Sequence, residues 1–226
     1  SSDLQVMHVE LALDADGKFL AIRADTIANI GAYLSTFSLF IPTIAGFRLL
    51  TGAYRIPAAY VNVRCVFTNT VWVDAYRGAG RPETAYLLER VVDQAARELD
   101  IPRDEIRRRN FVPASAMPYA TPMLAVYDSG DFKRNLEDAI AAADWAGFEA
   151  RRAEAKARGK LRGIGMCYYM EVTANAPVEA AEVRFLEGGK VDLLIGTGPS
   201  GQGHETAFPQ ILGALLGIPM EQITFK

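Results

Sequence analysis

Ala75-Tyr76-Arg77-Gly78-Ala79-Gly80-Arg81-Pro82-Glu83 is the stretch that decides how the rest of this chain is read. Two glycines stand where the backbone must approach something closely, two arginines flank them, and the proline that follows suits the first turn of a helix. Unpaired donors at a helix N-terminus and the positive end of its dipole favour a bound anion, and flanking guanidinium groups suit a bidentate phosphate clamp. An anionic ligand is expected at this turn; the plainer alternative is a tight turn carrying two surface arginines.

Outward from this turn the elements fall into place. Ala85, Leu88, Val92, Ala95, Ala96 and Leu99 recur at spacings of three and four, which predicts a helix opened by Pro82 and closed by Pro102, with a shorter helix over 103–110. Upstream, 60–73 favours a strand that runs into the turn, with Val61, Val63, Cys65 and Phe67 on one face. Before it, 6–28 alternates apolar and polar residues around Asp14-Ala15-Asp16-Gly17, which predicts two antiparallel strands joined by a tight hairpin. Downstream, 112–127 carries three prolines and little periodicity and is read as a boundary or a cover segment. The pattern then restarts with helices over 131–145 and 148–158 and a strand over 161–172. A hairpin of 180–186 with 191–195, turning at Gly188-Gly189, precedes a helix over 205–216 stopped by Gly217. The fold class expected is α+β, with mixed or antiparallel sheets and packed helices, divided into 1–111, the segment 112–127, and 128–226.

The unit of strand, glycine-rich turn and helix occurs a second time, at Gly196-Thr197-Gly198-Pro199-Ser200-Gly201-Gln202-Gly203-His204-Glu205. Its Gly-x-Gly-x-x-Gly spacing matches the dinucleotide fingerprint, but Pro199 removes a backbone donor from the cradle and the preceding strand reads as antiparallel. What remains is a set of backbone N–H groups ahead of a helix, suited to phosphate or pyrophosphate, with Gln202 able to donate and accept. His204-Glu205 lacks the second histidine of a zinc-protease helix, because position 208 is Phe208, so no metal-ligating residue is assigned. His204 is read as a hydrogen-bonding group at the helix start. Glu171, in Tyr168-Tyr169-Met170-Glu171, is a carboxylate in apolar company, either on a strand edge or lining a site.

Composition sets outer bounds. Half of the 226 residues are apolar, 23% are charged and the formal net charge is -3, so the chain carries enough apolar surface for one or two cores and no net basic character. The basic run 103–109 is broken by Asp104 and Glu105 and is read as one solvated helix face, so nucleic acid is not an expected partner. Cys65 and Cys167 have no metal or redox spacing and are read as buried thiols in a reducing compartment. No apolar run approaches a membrane span, so a cytoplasmic location is expected. The sequence starts without Met and stops on a strand only just begun, and both ends are read as cut.

Asp74 to Glu83, the following helix, Arg107-Arg108-Arg109-Asn110-Phe111 and Gly201-Gln202-Gly203-His204-Glu205-Thr206 together resemble the large subunit of the molybdenum hydroxylases, the family of aldehyde oxidase, xanthine dehydrogenase and aerobic carbon monoxide dehydrogenase. The resemblance covers nearly the whole chain. It implies parts of two molybdopterin-binding lobes and a molybdenum cofactor, in bacterial members usually molybdopterin cytosine dinucleotide. Arg77, Gly78 and Ala79 would approach the molybdenum and pterin end; Gly201, Gln202, Gly203 and His204 would contact the pterin and its phosphate.

By the same resemblance, FAD and [2Fe-2S] clusters would sit on partner subunits, a medium FAD-binding chain and a small iron–sulfur chain, and the substrate would be a small molecule. The family's catalytic glutamate would lie outside this chain, which leaves no catalytic residue within it and an inactive fragment if taken alone. Where carbon monoxide dehydrogenases resemble Ala-Tyr-x-Cys-Ser-Phe-Arg and hold copper on the cysteine, this sequence has Gly78. That departure favours hydroxylation of an aldehyde or aromatic heterocycle, with carbon monoxide oxidation as one alternative. Two others are a binding or structural module without catalysis and a Rossmann-type NAD enzyme.

Overall fold

The structure is a computed structural model describing residues 4–172 and 178–226. The chain divides into two compact units, 1–171 and 172–226, each with its own core.

In the first unit, strand β1 (Gln5–Leu13) and strand β2 (Phe19–Gly31) form the expected hairpin. Asp14 sets its turn by accepting from the backbone N–H groups of Asp16 at 3.0 Å and Lys18 at 2.8 Å, and Gly17 takes the left-handed φ of +77°. Strand β2 is central, antiparallel to β1 and parallel to strand β3 (Ala58–Phe67). Every second residue from Ile22 to Ile30 is buried, so one face of β2 lies on the core.

β3 is shorter than the sequence suggests. Its ladder ends at Phe67, where Gly31 closes β2, and 68–73 passes on as an irregular connection held by Thr68 N–H on the Gly31 carbonyl and Val73 N–H on the Ile30 carbonyl. Val61, Val63 and Cys65 do share a half-buried face, whereas Phe67 is exposed.

Helix α1 (Arg81–Glu98) and helix α2 (Arg103–Asn110) close the core, with Leu87, Leu88, Val92 and Ile106 inside. Burying each such aliphatic chain stabilises the unit by about 1.5–3 kcal/mol. The run 103–109 is not a solvated face: Arg107 is fully buried, its guanidinium donating to Glu89 at 2.7 and 3.0 Å and lying 3.0 Å from Asp93. A helix so short presents one side to α1, and position 107 falls on the same side as Ile106 and Asn110. Asn110 is buried as well and uses all of its near groups. It accepts from Phe19 N–H at 2.8 Å and donates to the Gly17 and Ile106 carbonyls, each at 2.8 Å, which ties α2 to the first hairpin.

The small hairpin of β4 (Tyr119–Ala120) and β5 (Val126–Tyr127) follows, then helices α3 (Phe132–Ala142) and α4 (Phe148–Ala157), both where periodicity put them. Val112, Ala125, Tyr127, Phe132 and Leu136 all join the core of the first unit. Residues 112–127 thus pack within the first compact unit, which runs to Glu171. Residues 161–172 form no strand: Ile164, Met166, Tyr168 and Met170 alternate as half-buried residues, but no ladder partner exists among the described residues. The period of two is real and the sheet is missing. The same alternation turns Cys167 outward, so it is an exposed thiol, while Cys65 is half-buried.

The second unit is a three-stranded sheet with one helix. Strands β6 (Ala181–Phe185) and β7 (Val191–Ile195) are antiparallel, with Gly188 and Gly189 at positive φ in the connection. Strand β8 (Ile223–Phe225) pairs with β7 in parallel, so β7 is antiparallel on one side only. Between them runs helix α5 (His204–Leu216), ended by Gly217 in the left-handed conformation. Val191, Leu193 and Ile223 are the buried centre, with Phe208, Leu212 and Phe225 against them.

Candidate cofactor-binding turns

The first turn is built on backbone packing. Gly80 has φ +88°, and a Cβ there would lie 2.5 Å from the Ile41 carbonyl oxygen and 2.7 Å from the Gly46 nitrogen; a Cβ on Gly46 would lie 2.7 Å from the Gly80 oxygen. Two glycines thus press the turn against the segment that follows the π-helical turn Ile41–Ala45. Upstream, the Ser35 and Ser38 hydroxyls both donate to the Val73 carbonyl at 2.9 Å.

Most donors of this turn are already taken. Ala79 N–H bonds the Tyr76 carbonyl at 2.8 Å, Gly80 N–H bonds Glu83 Oε2 at 3.1 Å, Arg81 N–H bonds the Gly78 carbonyl at 3.0 Å, and Pro82 has none. The helix start is closed by its own cap and offers little to an anion. Nor is there a two-arginine clamp. The Arg81 side chain is 8% exposed and its Nε lies 3.3 Å from Glu171 Oε1, because it points into the unit while Arg77 points out. Arg77 and Ala79 instead line a cavity of about 640 Å³ with Ile41, Val73, Tyr76 and Tyr86.

Gly78 faces the opposite way. A Cβ there would sit 3.2 Å from both Glu171 Oε2 and the Tyr169 hydroxyl, at a backbone φ of +81° that side-chain-bearing residues rarely adopt. Tyr169 donates to Glu171 Oε2 at 2.5 Å. Burial, with the adjoining Glu171 carboxylate, pushes the Tyr169 hydroxyl up to about 12, so the phenol keeps its proton. Sequence reasoning singled out Glu171 but missed this cluster. The available signal was the two-residue spacing that puts 169 and 171 on one side of an extended segment.

The second turn is open where the first is closed. The N–H groups of Gly201, Gln202, Gly203, His204 and Glu205 find no acceptor among the described residues, as expected of a helix start without a side-chain cap. Gly201 and Gly203 have φ of +93° and +70°, and nothing lies within 4 Å of where a Cβ on Gly196, Gly198 or Gly203 would go. Gln202 folds back so that its Oε1 accepts from Ser200 N–H. The His204 ring is turned inward, stacked on Phe208 at 4.7 Å and edge-on to Phe225, with Nδ1 3.4 Å from the Thr197 carbonyl; the group it leaves facing out is its backbone N–H.

The second turn suits a hydrogen-bonded anionic group: its N–H groups are without acceptors among the described residues and its glycines leave room. The described residues contain no cluster of three His, Cys, Asp or Glu side chains able to hold an ion. An α+β chain with such turns has the character of a cofactor-binding segment.

Residues 2–111 and 138–226 each match a family model described as a molybdopterin cofactor-binding domain. The chain belongs to that family. It is similar to the carbon monoxide dehydrogenase large chain of Hydrogenophaga pseudoflava, at 34% identity over 96% of this chain and 29% of the relative. It is also 33% identical to the 6-hydroxypseudooxynicotine dehydrogenase complex subunit gamma of Paenarthrobacter nicotinovorans, over 96% of this chain and 28% of that one. Among solved structures, quinoline 2-oxidoreductase from Pseudomonas putida 86 superposes with a TM-score of 0.88 at 31% identity, covering 98% of this chain and 30% of that one. The chain spans less than a third of the length of these relatives. No described helix is long and apolar enough to cross a membrane.

Proposed function

We propose that this chain is part of the molybdenum-binding large subunit of a cytoplasmic molybdenum hydroxylase that acts on an aromatic heterocycle or an aldehyde. The cofactor is the cytosine dinucleotide form of molybdopterin, and the assembly includes an FAD-binding medium subunit and a [2Fe-2S] small subunit. Residues 1–111 and 128–226 belong to its first and second molybdopterin-binding lobes, with 112–127 linking or covering them. When bound, the cofactor supplies a molybdenum centre able to take two electrons from substrate during hydroxylation.

The observation that carries this reading is the run of acceptor-less N–H groups from Gly201 to Glu205 beside glycines with open space around them. Their role is to hold the anionic part of the cofactor through backbone N–H donors without lending it a side chain. Gly201, Gln202, Gly203 and His204 provide that contact, His204 through its main chain. Arg77, Gly78 and Ala79 approach the molybdenum and pterin end. There Arg77 contributes the positive charge and the closed backbone of the turn contributes rigidity.

Gly78 argues against carbon monoxide as substrate. It offers no thiolate for copper, and its φ of +81° and the 3.2 Å approach to Glu171 and Tyr169 leave no ordinary place for one. Two kinds of relative, one named for carbon monoxide and one for quinoline, are similar to this chain at 34% and 31% identity, so identity alone does not separate the substrates.

The test is metal and nucleotide analysis of the complete subunit expressed with its neighbours. Molybdenum with cytidine nucleotide and no copper is the expected result. Stoichiometric copper would restore carbon monoxide oxidation, and no molybdenum from cells competent in cofactor synthesis would sink the reading. Thermal stabilisation by NAD and none by cytidine diphosphate would replace it with a Rossmann-type enzyme.

A further inference from the structure

Strand β3 is the edge of its sheet among the described residues. It pairs with β2 along one side, and beyond that ladder no main-chain group of 58–67 bonds to another main-chain group. Successive residues of a strand turn their N–H and C=O groups to opposite sides, so about half of those on β3 point away from β2.

Beside the open edge lies an apolar trough of about 700 Å³. Its walls are Ile44 and Phe47, Val61 and Val63 of β3, and Met123 and Leu124 of the turn between β4 and β5. Two polar side chains line it as well, and both are engaged: the Thr43 hydroxyl donates to the Leu39 carbonyl, and Arg48 Nη2 donates to the Leu124 carbonyl at 3.1 Å. Ile44 is 61% exposed and Leu124 81%. Leu124 also holds a φ of +64°, a conformation that glycine or asparagine takes with less strain. What leucine adds at that turn is an apolar side chain on the wall.

An unpaired edge and an apolar trough along it have one complement in common. An added strand would bond to the edge through its main chain and place every second side chain in the trough. Left open in a finished protein, such an edge is a template for aggregation. The composition of the trough says where the strand comes from: interfaces between separable chains carry polar groups across them, whereas a lining of this kind is that of a core cut open. The supply is ample, because the matches cover only 29%, 28% and 30% of the relatives described above.

We infer that β3 takes a further strand from the part of the same subunit that lies outside these 226 residues, with alternate apolar side chains of that strand filling the trough. The inference rests on the reading of the chain as part of a larger subunit and is independent of its cofactor and substrate.

The experiment uses the complete subunit in its assembly, with the photo-reactive residue p-benzoylphenylalanine placed at Leu124 in one preparation and at Ile44 in another. Cross-linked peptides are identified by mass spectrometry. Both positions are expected to link, at the mass of a single chain, to one and the same segment of the subunit's own sequence outside this span. A link to another chain, a product of doubled mass from a second copy, a link back into these 226 residues, or no link from either position would overturn the inference. Amide exchange of the unaltered assembly gives a second readout. Peptides covering β3 should exchange as slowly as those covering β2, and free exchange of about half of the β3 amides would mean that the edge is open. A complete polypeptide no longer than this chain would remove the larger-subunit reading itself, whereas the cross-link and exchange outcomes act on the added strand alone.

Discussion

Arg107 and Glu89 meet in the interior of the first unit, Nη2 to Oε2 at 2.7 Å and Nε to Oε2 at 3.0 Å, while Glu89 Oε1 accepts from the Tyr54 hydroxyl at 2.6 Å. Burial alone would lower the Arg107 pKa, but Tyr54, Glu89 and Asp93 around it raise it on balance, so the guanidinium stays charged. Removing Glu89 takes away one of two carboxylates and leaves the buried guanidinium with Asp93 alone, 3.0 Å away. Glu89→Ala is expected to destabilise the first unit by about 3 kcal/mol, the lower end for a broken buried pair, read from the urea midpoint. Tyr54→Phe should cost only about 1–2 kcal/mol. If both variants unfold at the unaltered midpoint, the pair is not the anchor described.

The contact between Gly80 and Gly46 admits no Cβ on either side. Gly80→Ala meets both the positive φ and backbone atoms that have no rotamer to escape into, and a loss of about 2–4 kcal/mol is expected. Gly159→Ala makes the comparison, since its φ of +72° is similar but nothing lies within 4 Å; it should lose only about 1–2 kcal/mol. Equal losses would show that packing against Gly46 contributes nothing.

Tyr127 donates to the Gly52 carbonyl at 2.6 Å, and burial pushes its hydroxyl up to about 12 from 10.0. The folded value lies above the unfolded one, so the unfolded chain loses this proton first as pH rises. The contribution is whole below pH 10 and is lost on the way to about 12, with a slope of at most about 1.4 kcal/mol per pH unit. Chemical denaturation across that window should show a shallower decline for Tyr127→Phe. A decline as steep in the variant would assign the alkaline sensitivity to other groups.

At the second turn, stability and binding should come apart. Gly203 has φ +70° with nothing of this chain in the way of a Cβ. Gly203→Ala should therefore cost about 1–2 kcal/mol of folding stability. In the complete subunit the same methyl group would stand in the cradle, and molybdenum occupancy should fall tenfold or more. Full occupancy in this variant would remove Gly203 from the cofactor contact.

Glycine and proline made much of this readable in advance. Pro82 and Pro102 fix φ beside the starts of α1 and α2, while Gly17 and Gly217 permit the positive φ at which the first hairpin turns and α5 ends. Local pattern failed where a partner distant in sequence decides the outcome. The alternation in 161–172 is the same whether or not a strand lies beside it, and the run 103–109 looks solvated until Glu89 and Asp93 are brought to Arg107. The difference between the two turns was hidden for another reason. Both have glycines before a helix, and one side chain, Glu83, closes the first onto Gly80 N–H, while the second has no such residue at its cap.

The tight seam at Gly46 and Gly80 also bears on how such a protein can change over generations. The path of the first turn is written in main-chain atoms, and a mutation there alters folding before it alters chemistry. Tyr169 and Glu171 reach the same turn from a segment outside any sheet, through side chains that can be exchanged one at a time. A change at Gly46 would need a matching change at Gly80, so the two positions are expected to pass through descent as a pair.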